Sequence, residues 1–333
     1  MDHPRSILLI LPGALGDVVN TIPGLKALRA HFPEAMIEAA GIRERMELLL
    51  AGRIVDAVYE FNLHGFQTLF AENFSPGNKT KKFLERFDLF ISWIQDRQGI
   101  MERNMAQMGK RSIFFQDKFP LAKGSGPASE TLCQPVRELG IKEFPARPEL
   151  KLPKRYLDRA SEIIGDDCEA CLVVHPGSGS ESKCWPAERF AQVADTLARE
   201  FSLQVLALEG PADELASARM CEHLGSKVRL IKNRPVIDVA CVLSCARIYL
   251  GNDSGISHLA AALGVPSMVI FGPTDPDVWG PRDPLARIIA PVCDCAPCDD
   301  ETRRSCPEQR CLDEIPVGEV IKQARELLRE SGT

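Results

Sequence analysis

Residues Ala246–Pro276 read ARIYLGNDSGISHLAAALGVPSMVIFGPTDP, and this stretch indicates the fold class of the chain. Two short apolar runs, Arg247 to Leu250 and Ser267 to Phe271, predict buried strands. Between them, Asp253 is a typical helix N-cap and Gly264 is typical of a helix stop. The stretch therefore predicts a strand–helix–strand unit. Its helix begins with small residues, so its first backbone amides are open to an anion such as a phosphate.

Two further glycine-bearing loops follow predicted strands. The strand Ser6 to Leu11 leads into PGALGD, and the strand Cys171 to His175 leads into PGSGSESKCWP. In the first loop, Gly13 and Gly16 allow a sharp turn that brings Asp17 to the start of a helix, at the carboxyl end of its strand.

The second loop carries a candidate anion-binding lysine. Lys183 follows a run of glycines and serines from Gly177 to Ser182. Its ammonium can neutralise a diphosphate, and hydroxyls such as that of Ser178 can add hydrogen bonds. The alternative is a solvated loop lysine without a ligand.

Predicted strands and helices alternate along both halves of the chain. This alternation is typical of parallel, doubly wound sheets, which bind ligands beyond the carboxyl ends of their strands. The proline-rich segment Pro145 to Pro153 predicts an extended connector. We therefore expect two α/β domains, residues 1–150 and 151–333, with a cleft between them.

Composition excludes several classes of function. The 333 residues are 45% hydrophobic and 26% charged, with a net charge of −6, so no general attraction to nucleic acid is expected. The apolar run Ile7 to Leu11 stops at Pro12, and nowhere do about 18 apolar residues follow one another. The sequence therefore predicts a soluble, cytoplasmic protein.

Five of the 12 cysteines form the pattern C-x-C-x2-C-x7-C-x4-C between Cys293 and Cys311. Four thiolates at Cys295, Cys298, Cys306 and Cys311 can bind Zn²⁺ tetrahedrally, although the second pair lacks a standard spacing. Free or redox-sensitive thiols and disulfides are the alternatives. None of these interpretations makes the cluster catalytic.

Together, the motifs G-x-x-G-D, P-G-S-G…K-x-W-P and N-D-S-G-x-S-H-L-A-A-A-L-G resemble those of the ADP-heptose:lipopolysaccharide heptosyltransferase family of inverting glycosyltransferases. The resemblance covers most of the chain. It implies a GT-B architecture, with two Rossmann-like domains facing across a cleft. It further implies an ADP-sugar donor in the second domain and a lipid-linked saccharide acceptor on the side of the first. No cofactor or divalent metal is required, and peripheral contact with the cytoplasmic face of the inner membrane is expected.

The resemblance also implies roles for individual residues. Asp17 matches the family's general base, supported by the loop glycines Gly13 and Gly16. The implied donor-site residues are Ser178, Lys183, Glu209, Arg234, Asp253, Ser254, Gly255 and His258. On the acceptor side, the irregular segment Leu63 to Arg86 offers Lys79, Lys81 and Lys82 to an anionic saccharide.

Several alternatives stay open at this point. Asp17 can be only a helix cap, His258 an interior histidine with a satisfied hydrogen bond, and the three lysines a solvated run. The first loop lacks the G-x-G-x-x-G of dinucleotide-binding enzymes, so a dehydrogenase is a weak alternative. A nucleotide-sugar epimerase or a non-catalytic sugar-nucleotide binding protein on the same architecture would carry similar loops.

Overall fold

The computed structural model divides the chain into two compact units, Met1–Pro148 and Glu149–Thr333. It describes residues 4–62, 65–114, 124, 126–165, 170–306 and 308–331. Within these residues each unit contains one sheet, with helices in the crossovers between its strands. The predicted α/β class, with two doubly wound sheets, is confirmed.

The first unit has a five-stranded sheet in its described part, in the order β3, β2, β1, β4, β5. All of its pairings are parallel. The strands are β1 (Ser6–Leu11), β2 (Met36–Gly41), β3 (Ala57–Glu60), β4 (Leu89–Ser92) and β5 (Arg111–Phe114). The helices are α1 (Leu15–Asn20), α2 (Ile22–His31), α3 (Arg43–Ala51), α4 (Asn78–Glu85), α5 (Ile100–Gln107), α6 (Ala128–Thr131) and α7 (Gln134–Arg137).

The order of these strands fixes where a ligand site is expected. The chain builds outward from β1 through β2 to β3, and then returns to add β4 and β5 on the other side of β1. The strand order therefore reverses between β1 and β4, and ligands of such sheets bind at the carboxyl ends of the strands beside this switch point. The continuous apolar run of β1 suits its central place, because Ile7 to Ile10 are at most 1% exposed.

The second unit has a six-stranded parallel sheet among the residues described, in the order β11, β10, β9, β6, β7, β8. Its strands are β6 (Cys171–His175), β7 (Gln204–Glu209), β8 (Val228–Lys232), β9 (Ile248–Asn252), β10 (Ser267–Ile270) and β11 (Ala286–Ile289). Its helices are α8 (Lys154–Ile164), α9 (Ala187–Phe201), α10 (Glu214–Leu224), α11 (Val236–Ser244), α12 (Gly255–Ala262), α13 (Pro276–Trp279), α14 (Asp300–Ser305), α15 (Arg310–Asp313) and α16 (Val317–Glu330). Here the switch point lies between β6 and β9.

One predicted helix cap is wrong. The helix after β9 is capped by Ser254, whose side chain accepts a hydrogen bond from the Ser257 amide, and not by Asp253. The first helix begins at Leu15, which places Asp17 at its third position, in the first turn. This agrees with the predicted place of Asp17 at the start of a helix. The stop at Gly264 is confirmed, because this residue has a positive φ of 77° two residues beyond α12.

No helix in the described part of the chain combines the length and the apolar composition that crossing a membrane requires.

Candidate active site

The second unit brings Lys183 and Asp253 together at the switch point between β6 and β9. The Lys183 Nζ atom lies 2.7 Å from Asp253 Oδ2, and the Asp253 side chain is only 6% exposed. The same carboxylate oxygen accepts a hydrogen bond of 2.6 Å from the hydroxyl of Thr274, which follows β10. The loops after β6, β9 and β10 therefore meet at one carboxylate, with a partly exposed ammonium beside it.

Hydrogen bonds between side chains and backbone groups hold the first two of these loops in place. The buried Asn252 side chain donates to the carbonyl oxygens of Pro176 and Gly177, at 2.8 and 3.2 Å, and accepts from the Trp185 amide at 2.9 Å. Ser178 donates its hydroxyl hydrogen to the Asp253 carbonyl oxygen at 2.9 Å. These bonds fix the carboxyl ends of β6 and β9, which we call the polar edge, before any ligand binds.

The start of α12 lies next to Asp253 in the chain. Because Ser254 is the cap, Gly255 is the first helical residue, and the first amides of the helix have no partner within it. These amides and the helix dipole favour an anion at this end. Gly255 adds no side chain that would obstruct the approach.

Hydrogen bonds through the buried His175 side chain also support this edge. His175 Nε2 lies 3.0 Å from Asp213 Oδ2, and His175 Nδ1 lies 3.4 Å from the Ser254 hydroxyl. Burial opposes ionisation of Asp213, but hydrogen bonds from His175 and from the Gly210 amide outweigh it and lower the pKa of the carboxyl group. A Cβ atom on Gly177 would lie 1.9 Å from Asp213 Oδ1, so only glycine fits there.

His258 lies one turn into α12 and is buried. Burial lowers the pKa of its imidazole, and the nearby Asp253 carboxylate opposes this shift only in part. His258 is therefore neutral at neutral pH and can serve a ligand through a hydrogen bond, not through a charge.

Glu209 and Arg234 flank the carboxyl end of β7, the neighbour of β6. Glu209 is buried, and its Oε1 atom lies 2.8 Å from Lys232 Nζ. The Asn233 amide donates to the Glu209 carbonyl oxygen at 2.8 Å, which brings the exposed Arg234 close to the same strand end. A ribose at Glu209 would have to share this carboxylate with Lys232.

In the first unit, Asp17 lies beyond the carboxyl end of β1. Its Oδ2 atom accepts the Ala14 N–H at 2.9 Å, which is the interaction of the third helical residue in a capping box. Gly13 permits this close turn, because a Cβ atom there would lie 3.0 Å from both Cβ and Oδ2 of Asp17. Arg45 holds the Gly13 carbonyl oxygen at 2.7 Å. Asp17 is thus fixed in place by the loop, and Gly16 lies within the helix start.

A cavity of about 420 Å³ opens beside Asp17. Its walls come from the two strand ends at the switch point between β1 and β4, from α1 and from the residue after α6, and include Leu11, Trp93, Arg97 and Leu132. This volume suits a small-molecule site, which is typically mostly apolar with a few polar groups.

The remaining predicted residues lie apart from these two edges. Lys79, Lys81 and Lys82 are exposed on α4, and Lys81 pairs with Glu85 at 3.9 Å. Leu63, where the predicted irregular segment begins, lies outside the described residues.

The cysteine cluster surrounds a cavity of about 210 Å³, which Ser182 and Pro273 also line. The contributing cysteines are Cys295, Cys298, Cys306 and Cys311. Burial raises the pKa of the Cys311 thiol to about 11. Across the described ranges no group of three or more His, Cys, Asp or Glu side chains is arranged to hold a metal ion, and the cysteines within these ranges are free thiols. The role of the cluster stays a prediction.

Several residues of the two edges were not identified from the sequence. Thr274, Asp213 and His175 support the Lys183 site, while Trp93 and Arg97 line the cavity beside Asp17. Their common signal is position, because each lies at or just beyond the carboxyl end of a strand. Only the strand order shows which of these ends are neighbours.

Comparisons with known proteins agree on one family. A sequence model of glycosyltransferase family 9 (heptosyltransferase) matches residues 128–309, more than half of the chain. Lipooligosaccharide heptosyltransferase 2 of Campylobacter jejuni is 24% identical over 336 residues, which cover 98% of this chain and 99% of that protein. Lipopolysaccharide heptosyltransferase 1 of Pseudomonas aeruginosa is 25% identical over 327 residues, covering 89% and 86% of the two chains.

Solved structures share the fold. A glycosyl transferase family 9 structure from Veillonella parvula matches with a TM-score of 0.80 at 21% identity, covering 99% of this chain and 98% of that one. The structure of E. coli ADP-heptose lps heptosyltransferase II matches with a TM-score of 0.78 at 18% identity, covering 98% and 100%. With the two doubly wound sheets, this likeness confirms the predicted GT-B fold class.

Proposed function

This chain belongs to glycosyltransferase family 9 (heptosyltransferase), and from that premise we propose that it moves a heptose or related sugar from an ADP-sugar to an inner-core acceptor of lipopolysaccharide. Membership makes the chain a glycosyltransferase and favours transfer over the epimerase and the non-catalytic binding protein. The names of its relatives support the donor and the acceptor: they are lipopolysaccharide or lipooligosaccharide heptosyltransferases, and one related structure is named for ADP-heptose.

The observation that carries the proposal is the Lys183 ammonium, 2.7 Å from Asp253 at the start of α12. When the sugar–diphosphate bond breaks, negative charge grows on the departing ADP. An ammonium and free helix amides at fixed positions stabilise this charge without reorganising. We assign this electrostatic role to Lys183 and to the amide end of α12, with Ser178 and Ser254 as hydroxyl partners.

Asp253 has a different role in this proposal. A carboxylate repels phosphate, so Asp253 is suited to orienting Lys183 and Thr274 and to accepting hydrogen bonds from sugar hydroxyls. The neutral His258 adds a hydrogen bond to the phosphate or the sugar. Glu209 and Arg234 are assigned to the ribose and the base, at the neighbouring strand end.

Asp17 is the proposed general base. It takes the proton of the acceptor hydroxyl while that oxygen bonds to the anomeric carbon, and the carbon–oxygen bond to the diphosphate breaks on the opposite face, with inversion. The products are ADP, the glycosylated acceptor and a protonated Asp17, which then returns its proton to water. The Ala14 amide at Asp17 Oδ2 fixes the orientation of the carboxylate.

The exposed lysines of α4 are the proposed contact with the anionic acceptor, and with an anionic membrane surface, at the cytoplasmic face of the inner membrane. This assignment is independent of the roles of Lys183 and Asp17.

One assay tests the proposed function. Purified protein is incubated with ADP-heptose, with and without an inner-core acceptor, and ADP release is followed. We expect release that depends on the acceptor. Equal release in its absence, or none in its presence, would refute the transfer reaction.

A further inference from the structure

Hydrogen bonds join His175 to a buried carboxylate on one side and to the start of α12 on the other. His175 Nε2 lies 3.0 Å from Asp213 Oδ2, and His175 Nδ1 lies 3.4 Å from Ser254 Oγ. The two titratable side chains are 5% and 8% exposed. Asp213 Oδ2 also accepts the Gly210 N–H at 2.9 Å. A buried acid and a buried imidazole are thus connected to the hydroxyl that caps the helix.

These bonds decide which nitrogen of His175 carries a hydrogen. Burial opposes ionisation of Asp213, but hydrogen bonds outweigh it and lower the pKa of the carboxyl group. An ionised carboxylate can only accept, so Nε2 of His175 donates to it. In the neutral imidazole, Nδ1 then has no hydrogen and accepts one from the Ser254 hydroxyl.

Neighbouring hydroxyls direct the Ser254 hydrogen to His175. The Ser257 hydroxyl donates to the Asn252 carbonyl oxygen at 2.5 Å. Its oxygen lies 2.9 Å from the Tyr249 hydroxyl, which therefore donates to it. Ser254 Oγ accepts the Ser257 N–H at 3.4 Å. Before a ligand binds, the hydrogen of Ser254 is therefore used by His175.

A diphosphate at the start of α12 would reverse the bond between Ser254 and His175. Phosphate oxygens only accept, so Ser254 can bond to one only by turning its hydrogen away from the imidazole. Nδ1 and Ser254 Oγ would then face each other as two buried acceptors, which is unfavourable. A proton taken from water by Nδ1 restores the bond, because Nδ1–H then donates to Ser254 Oγ. The resulting imidazolium is paired with Asp213 and adds one positive charge near the phosphates.

The other titratable groups near these residues do not compete for this proton. Burial raises the pKa of the Cys184 thiol to about 11 and also raises the pKa of Tyr249, and in both cases the Asp213 charge adds to the shift. Burial lowers the pKa of His258, which therefore stays neutral. Lys183 and Asp253 are already paired with each other. Of these side chains, the imidazole next to Asp213 is the one suited to change its charge near neutral pH.

We propose that His175 takes up a proton when the diphosphate binds and thereby turns the Ser254 hydroxyl toward the phosphate, with Asp213 holding the imidazolium. His175 is a positioning residue, since it acts through Ser254. The proton comes from water, and no covalent bond of the donor changes in this step. When the bond between sugar and phosphate breaks, ADP carries one more negative charge than the intact donor, so the added positive charge favours its departure. The inference rests on the proposed donor site and adds a proton-linked residue to it.

Calorimetric titration with ADP, in two buffers of different ionisation enthalpy, measures the protons taken up on binding. At about pH 8 a histidine without a partner is mostly neutral, so wild type should take up a fraction of a proton. The Kd for ADP should accordingly rise with pH, by up to about tenfold per unit. His175→Gln can still donate to Asp213 but cannot bind the proton, so its uptake should be smaller and its Kd less dependent on pH. The titration of ADP itself is common to both proteins and cancels. Equal uptake in wild type and His175→Gln would overturn the inference.

Two further variants control this comparison. His223→Gln is the matched control, because His223 is exposed on α10 and its Nδ1 atom lies 3.0 Å from the Arg219 carbonyl oxygen. It should keep the wild-type uptake. Asp213→Asn keeps the shape of the side chain and removes the charge that holds the imidazolium, so it should also reduce the uptake. It tests the inference even if His175→Gln does not fold, and wild-type uptake in Asp213→Asn would overturn it.

Histidine nitrogen NMR detects the proton directly and without an acceptor. Addition of ADP should convert Nδ1 of His175 from a nitrogen without hydrogen to one that carries hydrogen, while the signals of His223 stay unchanged. This result would support the inference even if no sugar transfer occurred. A bound complex in which Nδ1 stays without hydrogen would overturn it even if transfer did occur, and so would a failure of ADP to bind.

Discussion

The two switch points of this protein have the same topology but opposite character. At the β6/β9 edge, polar side chains bond to one another and to loop backbone, so that Lys183, Asp253 and Thr274 are already in contact. At the β1/β4 edge, a largely apolar cavity of about 420 Å³ has Asp17 and Arg97 as its charged lining residues, among the residues that the structure describes. The contrast fits the proposed division of roles, because stabilising a diphosphate requires preorganised polar groups, whereas an acceptor site requires space beside the base.

The largest effect is expected from Asp17→Asn, because it removes the proposed base and keeps the fold of the edge. Asparagine can still accept the Ala14 amide, so the helix start is preserved. General base catalysis contributes roughly 10²–10⁴-fold, so kcat should fall by about that factor while donor affinity is retained. ADP release at saturating acceptor measures it.

Asp88→Asn is the matched control for this substitution. Asp88 also accepts backbone amides, those of Arg5 and Ser6, but before β4 and not beyond a carboxyl end. Its turnover should equal that of wild type. Wild-type turnover in Asp17→Asn as well would reduce Asp17 to a structural residue and remove the base from the β1/β4 edge.

Lys183→Ala tests the polar edge directly. It removes the ammonium and leaves the buried Asp253 carboxylate at the proposed phosphate site, so the Kd for ADP should rise by about tenfold or more. Isothermal calorimetry provides the Kd. Lys227→Ala, which removes an exposed partner of Asp195 in the same unit, should not change it. Unchanged ADP affinity in Lys183→Ala would exclude Lys183 from the donor site.

Gly177→Ala tests whether the stability of the protein depends on close packing at the polar edge. A methyl group there would lie 1.9 Å from Asp213 Oδ1, and overpacking of this kind typically costs about 1–3 kcal/mol of unfolding free energy. Gly179→Ala lies in the same loop with nothing within 4 Å of the added carbon, so it should be nearly neutral. Denaturant unfolding of both variants gives the difference, and equal stabilities would show that the loop adapts freely.

The cavity surrounded by the cysteine cluster adjoins the polar edge, because Ser182 and Pro273 line it together with the cysteines. We expect a stabilising role confined to this end of the chain. Metal analysis of protein purified without chelator, with thiol counting, distinguishes the interpretations. One zinc per chain would favour a structural site, whereas neither zinc nor protected thiols would leave ordinary cysteines.

The smallest effect is expected from charge reversal of Lys79, Lys81 and Lys82. These side chains are exposed, and such charges act mainly through screened, long-range attraction. The acceptor KM should rise a few-fold at low salt, and less at high salt. A KM that is unchanged at low salt would exclude these three lysines from the acceptor site.

The sequence predicted the elements of this fold well because their patterns are local. The strands Ser6–Leu11 and Cys171–His175 have the predicted bounds, and their apolar runs need no information from elsewhere in the chain. The loop motifs also identified the family, since glycines and polar residues at set spacings can be recognised without a structure. Asp17 and Lys183 were therefore found as candidates, although their roles stay predictions.

What only the tertiary structure decided was the choice of partners. Locally, Asp253 and Ser254 are both good caps, yet Ser254 caps α12 because the Asp253 carboxylate is taken by Lys183 and Thr274, 70 and 21 residues away. Likewise, Trp93 faces the Asp17 cavity only because β4 pairs with β1, and its indole bonds to Leu132, 39 residues further on. Hydrogen bonds and cavities between distant strand ends depend on sheet order, which local periodicity does not encode.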